Sequence, residues 1–218
     1  MEIWADTANT AEIEKINALG ILDGVTTNPS LIAKEAGDPI AILKRITSVV
    51  KGPVSAEVIS VEADGMIKEG TKLAGIAPNI VVKIPMGIEG LKAIKVLHQK
   101  GIRTNCTLTF SANQALLAAK AGASYVNAFV GRIDDEGDDG FRLVQDILVM
   151  LENYKLQSEL IVASIRHPWH VHLSAQAGAH VATIPTAVIE KMASHIRTTE
   201  GINKFLADWN KAGKEYKI

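Results

Sequence analysis

The chain predicts an α/β fold: a closed (β/α)8 barrel of parallel strands with one extra helix near its C-terminal end. Three observations carry that expectation. Short β-rich runs alternate with longer helical runs along the whole chain. They recur every 20–35 residues or so, about the length of a strand-plus-helix unit with short loops. The strand runs are apolar on both faces, as in a parallel sheet covered by helices on each side. No glycine-rich dinucleotide or phosphate-loop fingerprint follows the first strand. That leaves an open doubly wound sheet as the weaker alternative.

In order, the expected strands are Ile3–Asp6, Gly24–Thr27, Val54–Ile59, Ile80–Ile84, Ile102–Leu108, Tyr125–Val130, Leu160–Ser164 and Val181–Ile184. Apolar residues at helical spacing mark Ala11–Leu19, Glu89–Gln99, Ala112–Ala121 and Asp139–Glu152 as helices between them. Ser111 followed by Gln114 reads as a capping box opening one of these. Gly20, Gly52, Gly101, Gly122 and Gly178 stand where a left-handed cap would turn each helix back toward the sheet. After the eighth unit, 201–214 continues as a helix whose Ile202, Phe205, Leu206 and Trp209 form one apolar stripe. Such a helix either packs on its own subunit or docks on a neighbouring one. No linker, repeat boundary or low-complexity tract divides residues 1–218, so a single domain is expected.

Composition narrows the function. Of 218 residues, 47% are hydrophobic, enough for a sizeable core, and the net charge of −1 mixes both signs. That balance gives no electrostatic case for nucleic acid or an anionic membrane, while a local arginine pair would still hold a small anion. One cysteine, Cys106, provides neither a disulfide framework nor a cysteine zinc site. Neither a signal segment nor a membrane-length apolar stretch is seen, so a cytoplasmic location is expected.

Polar residues gather at the C-terminal ends of the strands, the end where barrel enzymes place their chemistry. Asp6 closes the first strand; Thr26, Thr27 and Asn28 close the second. Glu57 lies in the third strand, and Asn105 and Thr107 share a face of the fifth. Arg132 follows the sixth strand, and Ser164 and Arg166 end the seventh. The most telling residue is Lys83, a charge inside the apolar run Ile80–Pro85. An unpaired ammonium in an apolar interior is costly, and an amine stripped of water loses its proton more readily and becomes a nucleophile. The alternative is a lysine that snorkels outward or pairs with a carboxylate for structural reasons.

These groups are chemically compatible. An amine that attacks a carbonyl needs acid/base groups to dehydrate the adduct to an imine, and Asp6 and Glu57 are available. A protonated imine withdraws electrons, so a neighbouring carbon–carbon bond can cleave. Asn28 and Asn105 suit hydroxyls; Arg132 and Arg166, with Ser164, suit a phosphate. Each has a plainer explanation alone, helix capping for Asn28 and surface ion pairing for the arginines. For the latter, Asp134, Asp135, Glu136, Asp138 and Asp139 offer partners. A metal on His167, His170 and His172 is disfavoured by their spacing, and the acidic cluster lacks calcium-loop spacing.

In the motifs Asp6-Thr7-Ala8-Asn9, Gly24-Val25-Thr26-Thr27-Asn28-Pro29-Ser30, Val81-Val82-Lys83-Ile84-Pro85, Asn105-Cys106-Thr107-Leu108, Gly131-Arg132-Ile133-Asp134-Asp135 and Ala163-Ser164-Ile165-Arg166, the chain resembles the small transaldolase family, close to the fructose-6-phosphate aldolases. The resemblance implies a cofactor-free Schiff-base mechanism on a TIM barrel, in the non-oxidative pentose phosphate pathway. Lys83 would attack C2 of a ketose phosphate, either sedoheptulose 7-phosphate or fructose 6-phosphate. Asp6 would serve as acid/base on the C4 hydroxyl, and Glu57 and Thr107 would hold the proton-shuttling water. Asn28 and Asn105 would bind the dihydroxyacetone portion, and Arg132, Ser164 and Arg166 the phosphate. A transaldolase passes the fragment to glyceraldehyde 3-phosphate or erythrose 4-phosphate; an aldolase releases dihydroxyacetone. Glu57 and Phe129 match the transaldolase pattern, where aldolases carry glutamine and tyrosine. Homo-oligomers, pentamers or decamers, are also implied. A metal-dependent barrel hydrolase and a catalytically dead binding barrel are the rivals from other classes.

Overall fold

A computed structural model describes residues 1–213, and eight parallel strands close into a barrel in sequence order. The first half runs β1 (Glu2–Asp6), α1 (Thr10–Asn17), β2 (Gly24–Thr26), α2 (Pro29–Ile32), α3 (Pro39–Val49), β3 (Val54–Glu57), α4 (Ala63–Ala74), β4 (Ile80–Pro85) and α5 (Ile88–Gln99). The second half runs β5 (Thr104–Thr107), α6 (Ala112–Ala121), β6 (Tyr125–Phe129), α7 (Val130–Asp135), α8 (Gly140–Asn153), β7 (Glu159–Ala163), α9 (Pro168–Ala177), β8 (Val181–Ile184) and α10 (Thr186–Met192). A final helix, α11 (Ile196–Lys211), follows the eighth unit. The molecule is a (β/α)8 barrel with an extra C-terminal helix.

Alternation along each strand separates two cores. On β4, Ile80, Val82 and Ile84 face the helices and join the large shell between sheet and helix layer. Val81 faces the axis, where it meets Trp4, Tyr125, Ile161 and Val181 in a separate apolar cluster that plugs the barrel. Trp4 and Tyr125 pack edge to face with centroids 5.2 Å apart. Burying side chains of this size contributes about 1.5–3 kcal/mol each.

The expected strands run longer than the observed ones at several C-terminal ends. Leu108 and Ser164, both expected as strand residues, have φ of 59° and 61°, which no ladder accommodates. The chain leaves the sheet at both places. Asp139 is not the first helical residue of α8 but its N-cap, accepting from the Phe141 and Arg142 amides. The capping box is also only half formed. Ser111 accepts from the Gln114 amide, but Gln114 Oε1 accepts from Phe110 N, one residue earlier than a closed box requires.

Gly20, Gly101, Gly122 and Gly178 adopt left-handed φ as expected, and Gly52 does not. Its reason is proximity: a Cβ on Gly52 would sit 1.7 Å from the Asp23 carbonyl oxygen. The terminal helix begins at Ile196, five residues before the expected start, and the expected last residue, Lys214, lies outside the described residues. None of its described residues is buried, and Ile202, Phe205 and Leu206 are exposed to 52%, 72% and 56%. Among the described residues no helix is long and apolar enough to cross a membrane.

Candidate active site

Register brings the polar side chains of the middle strands side by side. Glu57 on β3 pairs with Lys83 on β4, and Lys83 pairs with Asn105 on β5. Lys83 is 5% exposed and points inward. Its Nζ lies 3.2 Å from Glu57 Oε2 and donates to the Thr27 carbonyl oxygen at 3.1 Å. Of the two readings the sequence left open, pairing with a carboxylate is the one found. The counter-charge is the neighbouring strand's carboxylate, held by register alone. A buried pair of this kind is weak as a stability device, since desolvation offsets much of the attraction.

Asp6 forms the other wall of the throat. Its Oδ1 accepts from Thr26 Oγ1 at 2.8 Å, and Thr26 in turn hydrogen-bonds to the Thr183 hydroxyl. Burial raises the Asp6 carboxyl above its ordinary value; the Lys83 charge and the Thr26 bond offset only part of that. A carboxyl poised this way suits proton exchange with substrate.

Two buried amides hold an oxygen unpartnered. Asn105 donates to Ser55 Oγ at 3.0 Å, and Asn127 Nδ2 lies 3.5 Å from Thr107 Oγ1. Among the described residues neither Oδ1 atom has a hydrogen-bond partner. Orphaned buried acceptors are expensive in a folded protein and point to a missing hydroxyl or water. Ser55, Asn127 and Thr183 were not singled out from the sequence. Ser55 stands two residues before Glu57 and Asn127 two before Phe129, so inward alternation was the available signal.

Asn28 has the plainer role in part: its Oδ1 caps α2 through the Leu31 amide at 2.9 Å. Asn28 and Glu57 line one wall of a cleft of about 510 Å3 beside the mouth. A second cleft, about 530 Å3, lies at the opposite end, lined by Leu148, Glu152, Gln157 and His180, away from Lys83. Similar volume does not make the two equivalent, because only the first adjoins the inward-facing polar residues.

The arginines sit higher on the rim and are both exposed. Arg132, on α7, places its guanidinium 5.1 Å from the centroid of the Phe129 ring. Arg166 pairs with Asp135 at 2.6 Å, so the acidic cluster engages Arg166 rather than the adjacent Arg132. Ser164, between the two loops, holds a left-handed φ, strain of the sort that concentrates at functional sites. Its carbonyl oxygen would lie 2.1 Å from a Cβ on Gly131, so only glycine permits the two loops to approach.

The transaldolase/fructose-6-phosphate aldolase family matches residues 3–216. The chain belongs to that family. Similar relatives include a probable transaldolase of Desulforamulus reducens, 59% identical over 97% of this chain and 98% of the relative. Those of Methanococcus vannielii, 58% identical over 96% and 98%, and of a Thermoanaerobacter species, 55% identical over 98% and 99%, are alike. Family membership makes the chain an enzyme of the transaldolase or aldolase kind. The histidines considered for a metal are used otherwise: His170 meets Asp134 at 3.0 Å, and His172 stacks on Trp169. Among the described residues no group of three or more His, Cys, Asp or Glu side chains is placed to hold a metal ion.

Proposed function

We propose that the protein is a Schiff-base transaldolase that moves a dihydroxyacetone unit from sedoheptulose 7-phosphate or fructose 6-phosphate to glyceraldehyde 3-phosphate or erythrose 4-phosphate. The observation that carries this reading is Lys83, buried at the barrel mouth with Glu57 at 3.2 Å and Asp6 across the throat. Once Glu57 has taken a proton from the Lys83 ammonium, the amine adds to the C2 carbonyl, and loss of water from the carbinolamine gives a protonated imine. Glu57 and Thr107 hold the water that carries protons in that dehydration. Asp6 then takes the C4 hydroxyl proton as the C3–C4 bond breaks, its electrons moving to the iminium to form an enamine. The shortened aldose phosphate leaves. An acceptor aldehyde enters, C3 of the enamine attacks it, Asp6 returns the proton, and hydrolysis frees Lys83.

Asn28 and Asn105 bind the three-carbon fragment, and Arg132, Ser164 and Arg166 the phosphate. Transfer rather than release is supported by Phe129, which brings no hydroxyl to activate water against the bound fragment, and by Glu57. Fructose-6-phosphate aldolase activity is the second reading within the same family. The pathway is the non-oxidative pentose phosphate pathway in the cytoplasm. The exposed stripe of α11 supports a homo-oligomer, pentamer or decamer, with that helix docked on a neighbour.

The test is to incubate the protein with fructose 6-phosphate, reduce with borohydride and map the modified peptide. A three-carbon adduct on Lys83 is expected; an adduct elsewhere, or none, sinks the Schiff-base assignment. Glyceraldehyde 3-phosphate release should then depend on erythrose 4-phosphate, and indifference to the acceptor would favour the aldolase. For the assembly, deleting residues 201–218 should reduce the mass seen by light scattering, and an unchanged mass contradicts the docking role.

A further inference from the structure

His170 sits where the two arginine-bearing loops meet. It is 4% exposed, on the first turn of α9. Its Nδ1 accepts from the Arg166 backbone amide at 3.3 Å, and its Nε2 lies 3.0 Å from Asp134 Oδ2. Those two partners define a neutral ring with the proton on Nε2. Asp134 Oδ1 also accepts from the Gly140 amide at 2.9 Å, tying α7 to the start of α8. One buried imidazole therefore joins the turn that presents Ser164 and Arg166 to the short helix that presents Arg132.

We propose that His170, oriented by Asp134, is a positioning residue that sets the spacing of the two arginine loops for the phosphate of a sugar-phosphate substrate. The inference rests on the phosphate-binding reading of Arg132, Ser164 and Arg166. Protonation of Nδ1 removes the acceptor and turns a second N–H toward the Arg166 amide, so the brace works only with a neutral ring. The groups facing the imidazole are Asp134 from α7, Arg166 from the turn after β7, His167 with its ring 3.8 Å away, and the Phe141 ring of α8 at 5.5 Å. Burial and then the neighbouring His167 hold His170 below its ordinary value, with Asp134 opposing them. The brace is therefore intact at neutral pH and lost as the solution is acidified below that lowered value.

Two variants separate this role from simple packing. His170→Asn keeps an acceptor near the Arg166 amide but cannot reach Asp134. Asp134→Asn keeps the Gly140 bond, yet its amide donates to Nε2, moves the ring proton to Nδ1 and turns a donor on the Arg166 amide. The experiment measures KM for glyceraldehyde 3-phosphate and for glyceraldehyde, with saturating sedoheptulose 7-phosphate as donor, alongside Arg166→Ala as reference. Both variants should raise KM for the phosphorylated acceptor roughly three- to tenfold, the scale of one lost or misdirected hydrogen bond. KM for glyceraldehyde should shift by less than about twofold. In acid, the parent's preference for the phosphorylated acceptor should fall more steeply than that of His170→Asn; the phosphate's own ionisation is common to both and cancels. If Arg166→Ala raises KM but neither variant does, the positioning role is wrong and phosphate binding stands. A parallel loss for both acceptors means mere packing and also overturns it. If Arg166→Ala has no effect, the phosphate reading fails and this inference with it. Asp134 is itself exposed, so its variant carries the test should His170→Asn fold poorly.

Discussion

The floor and the mouth of the barrel are built by the same strands only two residues apart. Trp4, Val81, Tyr125 and Val181 fill the floor, and two positions along the same inward rows stand Asp6, Lys83, Asn127 and Thr183. The first set carries only two polar groups, the Tyr125 hydroxyl and the Trp4 indole, which donates to Glu2 Oε2 at 2.8 Å. The second set is wholly polar, and its member Asn127 and the Asn105 beside Lys83 each keep an orphaned oxygen. One strand step of about 6–7 Å separates residues that hold the barrel closed from residues that hold it ready for chemistry. The floor is buried and largely apolar, and the polar mouth rests directly on it.

That division can be broken from either side. The largest effect is expected at Lys83. Lys83→Met should lower turnover by at least about a thousandfold, since it removes the nucleophile rather than a binding contact. Residual activity above a few per cent would place the chemistry elsewhere. Trp4→Ala should do the opposite, lowering unfolding free energy by about 3–5 kcal/mol while kcat of the folded enzyme changes less than about threefold. Urea titration and saturating kinetics at low temperature measure the two; a collapse of kcat would mean that floor and mouth are one unit.

The smallest effect, and the most diagnostic, belongs to Asp6. In the folded protein its carboxyl binds a proton more tightly than in the unfolded chain. Stability from this group is therefore present in acid and lost as pH rises from the ordinary value of 3.8 through the raised folded value. Asp6→Asn keeps an acceptor for Thr26 and removes the buried charge. Its Tm should exceed the parent's at pH 7, on the order of 2 °C, with the gap closing toward pH 4, while activity falls. A gap that does not vary with pH would show that burial of the charge is not the source.

Much of the floor was legible in the sequence because alternation and apolar runs are local. The eighth strand matches its expected bounds, Val181–Ile184, and α6 matches Ala112–Ala121. What alternation cannot give is which residue lies opposite which. Glu57 and Lys83 are each visible alone, but their pairing follows from a register that depends on how the whole barrel closes. The same holds for Ser55 with Asn105 and for Arg166 with Asp135, 50 and 31 residues apart. Strand ends were overrun at Leu108 and Ser164 because neither residue type advertises a left-handed turn.

The seam of the barrel has a consequence in time. Its last pairing joins Glu2–Ala5 to Val181–Ile184. Synthesis at about 5–20 residues per second puts roughly ten to forty seconds between making the first of these strands and the last. Throughout that interval β1 carries a row of unpaired amides and carbonyls along one edge. The Thr183 hydroxyl that steadies Thr26, and through it Asp6, emerges at the end of the same wait. The first carboxylate of the site to be made is among the last to be secured.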